Sequence, residues 1–306
     1  MSGDAVLLMA YGSPATLDDV PAYFAHIRGG RPASADAVEE LRERYRRIGG
    51  TSPLRLVTEA QAAGLSRTLR AQGRDVQVAV GMKHAPPFIA DAVGAIARSG
   101  ARRIAALALA PHYSKISIAS YFSAAADAAV GYGLSLRVRE SWHAHPGLVA
   151  ALAARVRAAL ERVRVPGDVV TVFTAHSLPE RILSWGDPYP QQLRETSALV
   201  ARSADCARWQ FAFQSASHTG EPWLGPDLLD VLQQLAGAGV REVVVCPVGF
   251  VADHLEVLYD IDIEARERAE SLGVDLYRAP SLNDGEDFLA ALASLASELL
   301  DGEEPS

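Results

Sequence analysis

Histidines and carboxylates recur where the apolar runs of this sequence stop. His176 closes "VVTVFTAH", while His84 and His112 stand at the ends of "VQVAVGM" and "RRIAALALAP". The run "VVVCPVGF" leads directly into "VADHLEVLYDIDIEARE", residues 251–267. Read as one α-helix at ~100° per residue, this segment puts Asp253, Glu256, Asp260, Glu264 and Glu267 on one narrow stripe. Leu255, Leu258, Ile261, Ala265 and Ala269 then lie on or near the opposite side. Like charges one turn apart cost roughly a few tenths of a kcal/mol per pair, so five in line call for a reason. An imidazole and a carboxylate at equivalent strand ends can bind a divalent metal or accept protons near neutral pH. That chemistry pairs His176 with Glu256. Taken alone, the stripe is equally a solvated helix face with Asp253 as N-cap. His84 and His112 read as structural or supporting residues, and His26, His143 and His145 as bystanders.

A second cluster has the opposite sign. From Arg28 to Arg55 there are seven arginines against four acids, Asp36, Glu39, Glu40 and Glu43, and "ELRERYRRIGGTSP" ends in a Gly-rich loop carrying Ser52. A guanidinium presents a planar fork suited to carboxylates and phosphates. A charged helix surface would look the same in isolation. Together, one part of the chain suits an anionic ligand and another suits a cation.

These groups must be held by a scaffold, and the apolar runs describe it. Eight runs read as strands: "AVLLMAYG", "VQVAVGMKH", "RRIAALALAP", "LSLRVRES", "DVVTVFTAHS", "RWQFAFQS", "REVVVCPVGF" and "VDLYRAP". Amphipathic patterns lie between most of them. Strands without alternation are buried on both faces, which implies parallel sheets flanked by helices. The last four runs echo the first four: "AIARSGARRIAALALAP" and "QLAGAGVREVVVCPV" share the order helix end, Gly, polar turn, apolar strand. The expected fold class is therefore α/β, with two similar doubly wound domains of four parallel strands each. The first domain is assigned to residues 1–143, which would hold the anionic ligand, and the second to 144–285, which would carry the metal and base residues. A terminal helix and tail, 286–306, can pack on either. Ligands of such sheets bind at the carboxyl ends of strands, where Tyr11, Lys83, His84, His112, His176 and Glu256 all fall.

Length and charge narrow the function. A chain of 306 residues that is 49% hydrophobic and 22% charged suits about two ordinary globular domains. The net charge of −8 argues against general nucleic-acid binding. Cys206 and Cys246 are the two cysteines, too few for a disulfide framework. The first residues lack a basic n-region, and no stretch approaches the ~20 apolar residues needed to span a bilayer. No membrane anchor and a cytoplasmic location are expected. Gly-rich phosphate loops and a GxSxG elbow are absent.

Read together, the motifs resemble the ferrochelatases, enzymes that insert iron into a porphyrin. The resemblance rests on "MAYGSP", "YFAHIRGGRP", "RYRRIGGTSPL", "GMKHAPPFI" and "LAPHYSKISIASY" in the first half. In the second it rests on "TAHSLPERI", "GDPYPQQL", "FQS…PWLGPD" and "PVGFVADHLEVLYDID". It is nearest to the soluble Gram-positive branch, whose pointer is the tyrosine of "MAYGSP" and whose substrate is coproporphyrin III. The resemblance implies His176 and Glu256 as the catalytic pair on one face of the macrocycle, with Tyr11 facing the metal from the other side. It implies Tyr11, Arg28, Arg44, Tyr45, Ser52 and Tyr121 as porphyrin-holding residues. It also implies His176, Glu256, Asp260 and Glu264 as the residues that meet the metal. Coproporphyrin III and Fe2+ are then the substrates, coprohaem is the product, and no cofactor is tightly bound. The ligands of the four-cysteine iron–sulfur cluster found in some relatives are missing. A monomer is expected, with a transient contact to the next haem-pathway enzyme. The stretch "SASHTGEP" departs from the family pattern, which leaves local loop contacts open. The competing readings are a protoporphyrin IX ferrochelatase, a cobalt chelatase acting on sirohydrochlorin, and a non-catalytic porphyrin or haem carrier.

Overall fold

A computed structural model of the chain describes residues 3–165, 167–217 and 220–302. Part of the divergent stretch, residues 218 and 219, lies outside them, as does the tail from 303. Residues up to Trp142 together with those from Asn283 form one compact unit, and His143–Leu282 form the other.

In the first unit the strands β1 (Asp4–Ala10), β2 (Gln77–Met82), β3 (Arg103–Ala108) and β4 (Ser135–Arg139) make a parallel sheet in the order β2-β1-β3-β4. The apolar run Ala5–Met9 is wholly buried, as a central strand covered on both faces must be. Ala5, Leu7 and Met9 pack with α4 (Ile89–Arg98) and α5 (Ala119–Tyr132). The opposite side is covered by α3 (Leu54–Ala71) and the terminal helix α11 (Glu286–Asp301). Two further helices, α1 (Val20–Ile27) and α2 (Ala35–Arg47), lie between β1 and α3 in the chain.

The terminal helix thus returns to the first unit. Its buried face of Phe288, Leu289, Leu292 and Leu295 supplies the apolar cover. Phe288 stacks on Trp142 at 6.1 Å between ring centroids. Arg137 Nη1 donates to the Leu299 carbonyl at 3.0 Å, satisfying part of the helix end.

The second unit repeats the plan. Strands β5 (Val170–His176), β6 (Trp209–Gln214), β7 (Glu242–Cys246) and β8 (Asp275–Arg278) run parallel in the order β6-β5-β7-β8. One face carries α6 (Pro146–Leu160) and α7 (Tyr189–Ser203). The other carries α8 (Leu228–Gly237) and the helical segment 255–271. Both sheets are therefore α/β and doubly wound, with eight parallel strands among the described residues. In each, the chain leaves the first strand toward one edge and later returns on its other side. The crevice at that switch, at the carboxyl ends of β1 and β3 or of β5 and β7, is where such sheets bind ligands.

The segment 255–271 differs from the single regular helix expected. It consists of α9 (Leu255–Leu258), a π-helical turn (Asp260–Ala265) and α10 (Arg266–Ser271). In the π-turn the Glu264 amide donates to the Tyr259 carbonyl, five residues back, at 2.9 Å. Wider turns rotate each residue by less than an α-helix does, so carboxylates four apart no longer share one stripe. Asp260 is buried, whereas Glu264 is exposed. The sheet-facing residues are Val257, Ile261, Ala265 and Ala269, with Val257 rather than Leu258 in the core. The N-cap is His254, not Asp253.

Replacing Phe288 with Ala removes a fully buried ring from the terminal helix. We expect a loss of about 3–5 kcal/mol, read as a lowered denaturation midpoint. A loss under about 1 kcal/mol would mean that α11 is not part of the first unit's core.

Candidate active site

His176 is the last residue of β5, paired in register with Gln214 of β6. Eight residues separate the end of β7 from the segment bearing Glu256. The chain between them passes tightly against β5. The Gly249 amide donates to the Thr174 carbonyl at 3.1 Å. A Cβ on Gly249 would stand 2.5 Å from Ala175 Cβ and 2.9 Å from its Cα, a distance that no ordinary contact permits. Glycine is thus required for the two strand ends to meet.

Where they meet, His176 Nε2 lies 3.4 Å from Glu256 Oε1. The imidazole is oriented by its other nitrogen, since Nδ1–H donates to the Ser177 carbonyl. Tyr189 Oη donates to the His176 carbonyl at 2.9 Å, and Gln214 Nε2 donates to the Glu256 carbonyl at 2.8 Å. The second oxygen of Glu256 faces another imidazole, His254 Nε2, at 3.7 Å. His254 Nδ1 lies 2.9 Å from the Ala252 carbonyl. A carbonyl can only accept, so that nitrogen carries the proton. Glu256 is accordingly a carboxylate between two rings.

The electrostatics follow from this placement. Burial lowers the His176 pKa, but the Glu256 charge and hydrogen bond, the Ser177 carbonyl and Asp260 outweigh it and raise it to about 9. For Glu256, burial raises the pKa, and the His176 charge and hydrogen bond with those of His254 outweigh this and hold it well below the usual carboxylate range. Near pH 7 the pair is an imidazolium and a carboxylate. Both side chains keep about a third of their surface, 30% and 28%, so water moderates the attraction.

The linkage has a definite sign. The raised pKa of His176 adds stability that is complete below its unfolded value of about 6.5 and is lost as pH rises through about 9. The lowered pKa of Glu256 adds stability that is complete above about 4.3 and is lost as pH falls toward its folded value. Both contributions are complete between about pH 4.3 and 6.5.

Around the pair, the Ser215 hydroxyl bonds Asp260 Oδ2. Ser215 holds a left-handed φ of 62°, a conformation that costs a non-glycine residue about 1–2 kcal/mol. Asp253, expected as a helix cap, instead accepts from Arg278 Nη1 at 3.1 Å and from the Ser281 hydroxyl at 2.7 Å. Among the described residues no three His, Cys, Asp or Glu side chains converge as a metal-holding group.

The first unit brings together a different set. Tyr11 directly follows β1 and is 41% exposed. Its ring lies 4.6 Å from that of His84. Gly12, at φ +93°, allows this turn, since a Cβ there would stand 2.9 Å from the Ala85 amide nitrogen. His84 Nδ1 is 3.0 Å from His26 Nδ1, so His26 of α1 is a partner of His84 rather than a bystander. Burial, then Lys83 and His26, lowers the His84 pKa to about 4, which leaves it neutral at pH 7. Lys83 Nζ sits 5.2 Å above the ring of buried Tyr121.

The arginine-rich segment is partly self-neutralised. Arg46 pairs with Glu39 at 2.6 Å and Glu43 at 3.0 Å, Arg42 with Glu39 at 3.6 Å, and Arg55 with Glu59 at 2.9 Å. Arg28 stands at the end of α1 with its guanidinium 5.9 Å from the Phe24 ring. Arg44 is half-buried and Tyr45 buried at the end of α2. The Ser52 hydroxyl accepts from the Leu54 amide at 3.2 Å.

Sequence reasoning did not single out His254, Ser215, Gln214, Tyr189 or Arg278. A signal existed for His254, two residues before Glu256. The others depend on register and on the π-turn, which side-chain periodicity does not reveal.

A family model described as Ferrochelatase matches residues 3–300. A "Ferrochelatase" of Herpetosiphon aurantiacus is 44% identical over 300 residues, covering 96% of this chain and 98% of that protein. A "Coproporphyrin III ferrochelatase" of Halalkalibacterium halodurans is 39% identical over 300 residues, covering 96% of each. Among solved structures, the sirohydrochlorin chelatase SirB of Bacillus subtilis subspecies spizizenii, in complex with cobalt, superposes with a TM-score of 0.58. It is 12% identical, covers 97% of this chain and 94% of that one, and shares the fold.

Exchanging Glu256 for Gln should lower the His176 pKa clearly from about 9, because burial remains and its largest countercharge is gone, with the Ser177 carbonyl and Asp260 left to raise it. An NMR titration of the His176 ring protons measures it. A value still near 9 would mean that Glu256 does not set the charge of His176.

Proposed function

The chain belongs to the ferrochelatase family, matched over residues 3–300, and from that premise we propose that its porphyrin is coproporphyrin III and its product coprohaem. The reaction of the family replaces two pyrrole N–H protons by Fe2+. Support for the substrate comes from relatives named coproporphyrin III ferrochelatases at 39–41% identity. The arginine-rich segment fits a ligand with four propionates. We assign porphyrin binding to Tyr11, Arg28, Arg44, Tyr45, Ser52 and Tyr121.

The observation that carries the chemistry is the His176–Glu256 pair, an imidazolium beside a carboxylate at a strand-end switch point. A proton already rests on His176. Fe2+ takes the place of that proton as the positive partner of Glu256, and the displaced proton passes to water; the neutral imidazole then accepts the two pyrrole protons one after the other, handing each to water. Glu256 keeps its charge because a cation stays beside it, first the His176 imidazolium that holds its pKa low and then Fe2+. His254 places a second ring 3.7 Å from the same carboxylate.

Glu264, exposed, and Asp260, buried, lead toward Glu256 along the π-turn. Oxygen ligands of this kind hold a divalent ion weakly at each step, and their separation keeps it from being trapped in one cluster. The Ser215 hydroxyl on Asp260 tempers the affinity of the buried step. Iron is a substrate here, and the account calls for no tightly bound cofactor.

Under anaerobic conditions, Fe2+ insertion should show a kcat/KM at least tenfold higher for coproporphyrin III than for protoporphyrin IX. A preference for protoporphyrin IX would overturn the substrate assignment. In the same assay His176→Ala should lose at least tenfold in kcat while still binding coproporphyrin III, measured by fluorescence quenching. Catalysis within twofold of the parent would remove His176 from the reaction.

A further inference from the structure

Arg278 closes β8 and reaches both ends of the segment that carries Glu256. Its Nη1 is 3.1 Å from Asp253 Oδ1, three residues before Glu256. Its Nε is 2.7 Å from Asp262 Oδ1, inside the π-turn. The Ser281 hydroxyl completes the frame, donating to Asp253 Oδ1 at 2.7 Å and lying 3.2 Å from Arg278 Nη1. The guanidinium and its two carboxylates are each at most a quarter exposed, at 15%, 22% and 25%. A rigid fork with five donors can hold two carboxylates at once, which an ammonium cannot do in the same geometry.

Two consequences follow from this bracket. The first is geometric: Glu256 lies in the single turn of α9 (Leu255–Leu258), whose backbone Gln214 holds at one point and which runs on into the irregular π-turn. A clamp at residues 253 and 262 fixes the ends of that span, and with them the Glu256 backbone. The second is electrostatic. Residues 253–264 carry five carboxylates, Asp253, Glu256, Asp260, Asp262 and Glu264. Arg278 engages Asp253 and Asp262. Arg266 also stands 3.8 Å from Asp262 Oδ1, but Arg278 is the closer partner, and a carboxylate so engaged is a poorer oxygen ligand for a divalent ion.

We propose that Arg278 is a positioning residue for metal insertion, holding Glu256 in place through Asp253 and Asp262 while keeping those two carboxylates away from the incoming ion. The proposal rests on the assignment of the His176–Glu256 pair to the reaction. Arg278 is engaged by Asp253, Asp262 and Ser281, so its loss should appear in kcat and in the metal dependence rather than in porphyrin affinity.

The test compares Arg278→Met and Arg278→Lys in anaerobic Fe2+ insertion, with circular dichroism and thermal melts to measure the folded fraction. Per folded molecule, Arg278→Met should lose at least tenfold in kcat and show substrate inhibition by Fe2+ at lower concentration. Its dissociation constant for coproporphyrin III should stay within twofold. Arg278→Lys, which keeps the charge and one contact, should recover at least a third of the lost activity. A lowered melting temperature with kcat per folded molecule within twofold of the parent would make Arg278 merely structural and overturn the proposal. So would equal loss in both variants. Should Arg278→Met fail to fold, Ser281→Ala decides: a threefold or greater fall in kcat at unchanged melting temperature supports the clamp, and unchanged kcat overturns it. The His176→Ala assay tests the underlying assignment separately, because an active His176→Ala would leave the Arg278 effect standing without that pair as its cause.

Discussion

Two opposite charges drawn partly out of water are stable only while each keeps the other, and the second unit is arranged around that condition at His176 and Glu256. The imidazole is turned by the Ser177 carbonyl, its own carbonyl is held by Tyr189, and the carboxylate-bearing turn is pinned by Gln214. Each of these bonds fixes backbone or ring orientation rather than adding charge. The charge itself is left to exchange. On the proposed reaction, the proton that balances Glu256 in the resting protein gives way to a divalent ion.

The π-turn serves the same end. A regular helix would have set Glu256, Asp260 and Glu264 in one exposed row. The wider turn instead buries Asp260 while it leaves Glu264 at the surface. Its price is an irregular backbone, offset by the apolar anchors Val257, Ile261, Ala265 and Ala269 packed on the sheet. π-turns of this kind are uncommon and often lie at functional sites.

The sheets were legible in the sequence because burial on both faces leaves an unmistakable signature in runs such as "AVLLMA" and "EVVVC". The duplication was legible from the repeated helix–Gly–strand pattern, and the matching strand orders follow from it. The strand-end histidines stood out for the same reason, since a polar residue closing an apolar run is conspicuous. The helix after β7 was misread because apolar spacing of four residues fits both an α-helix and a π-turn anchored on the same face. Asp253 looked like a cap because caps are local, whereas its actual partner, Arg278, lies on another strand. His26 is an exposed residue of α1, and its contact with His84 was not legible because His84 arrives from the end of β2.

The claim beneath this account is that Fe2+ and a proton compete for the same pair of side chains. Calorimetric titration of the porphyrin-free protein with Fe2+, anaerobically at pH 7.5 in two buffers of different ionisation enthalpy, counts the protons released per ion bound. The account predicts about one proton per Fe2+ in the parent protein and nearly none in His176→Ala. Binding of Fe2+ to the parent with no proton released would contradict it.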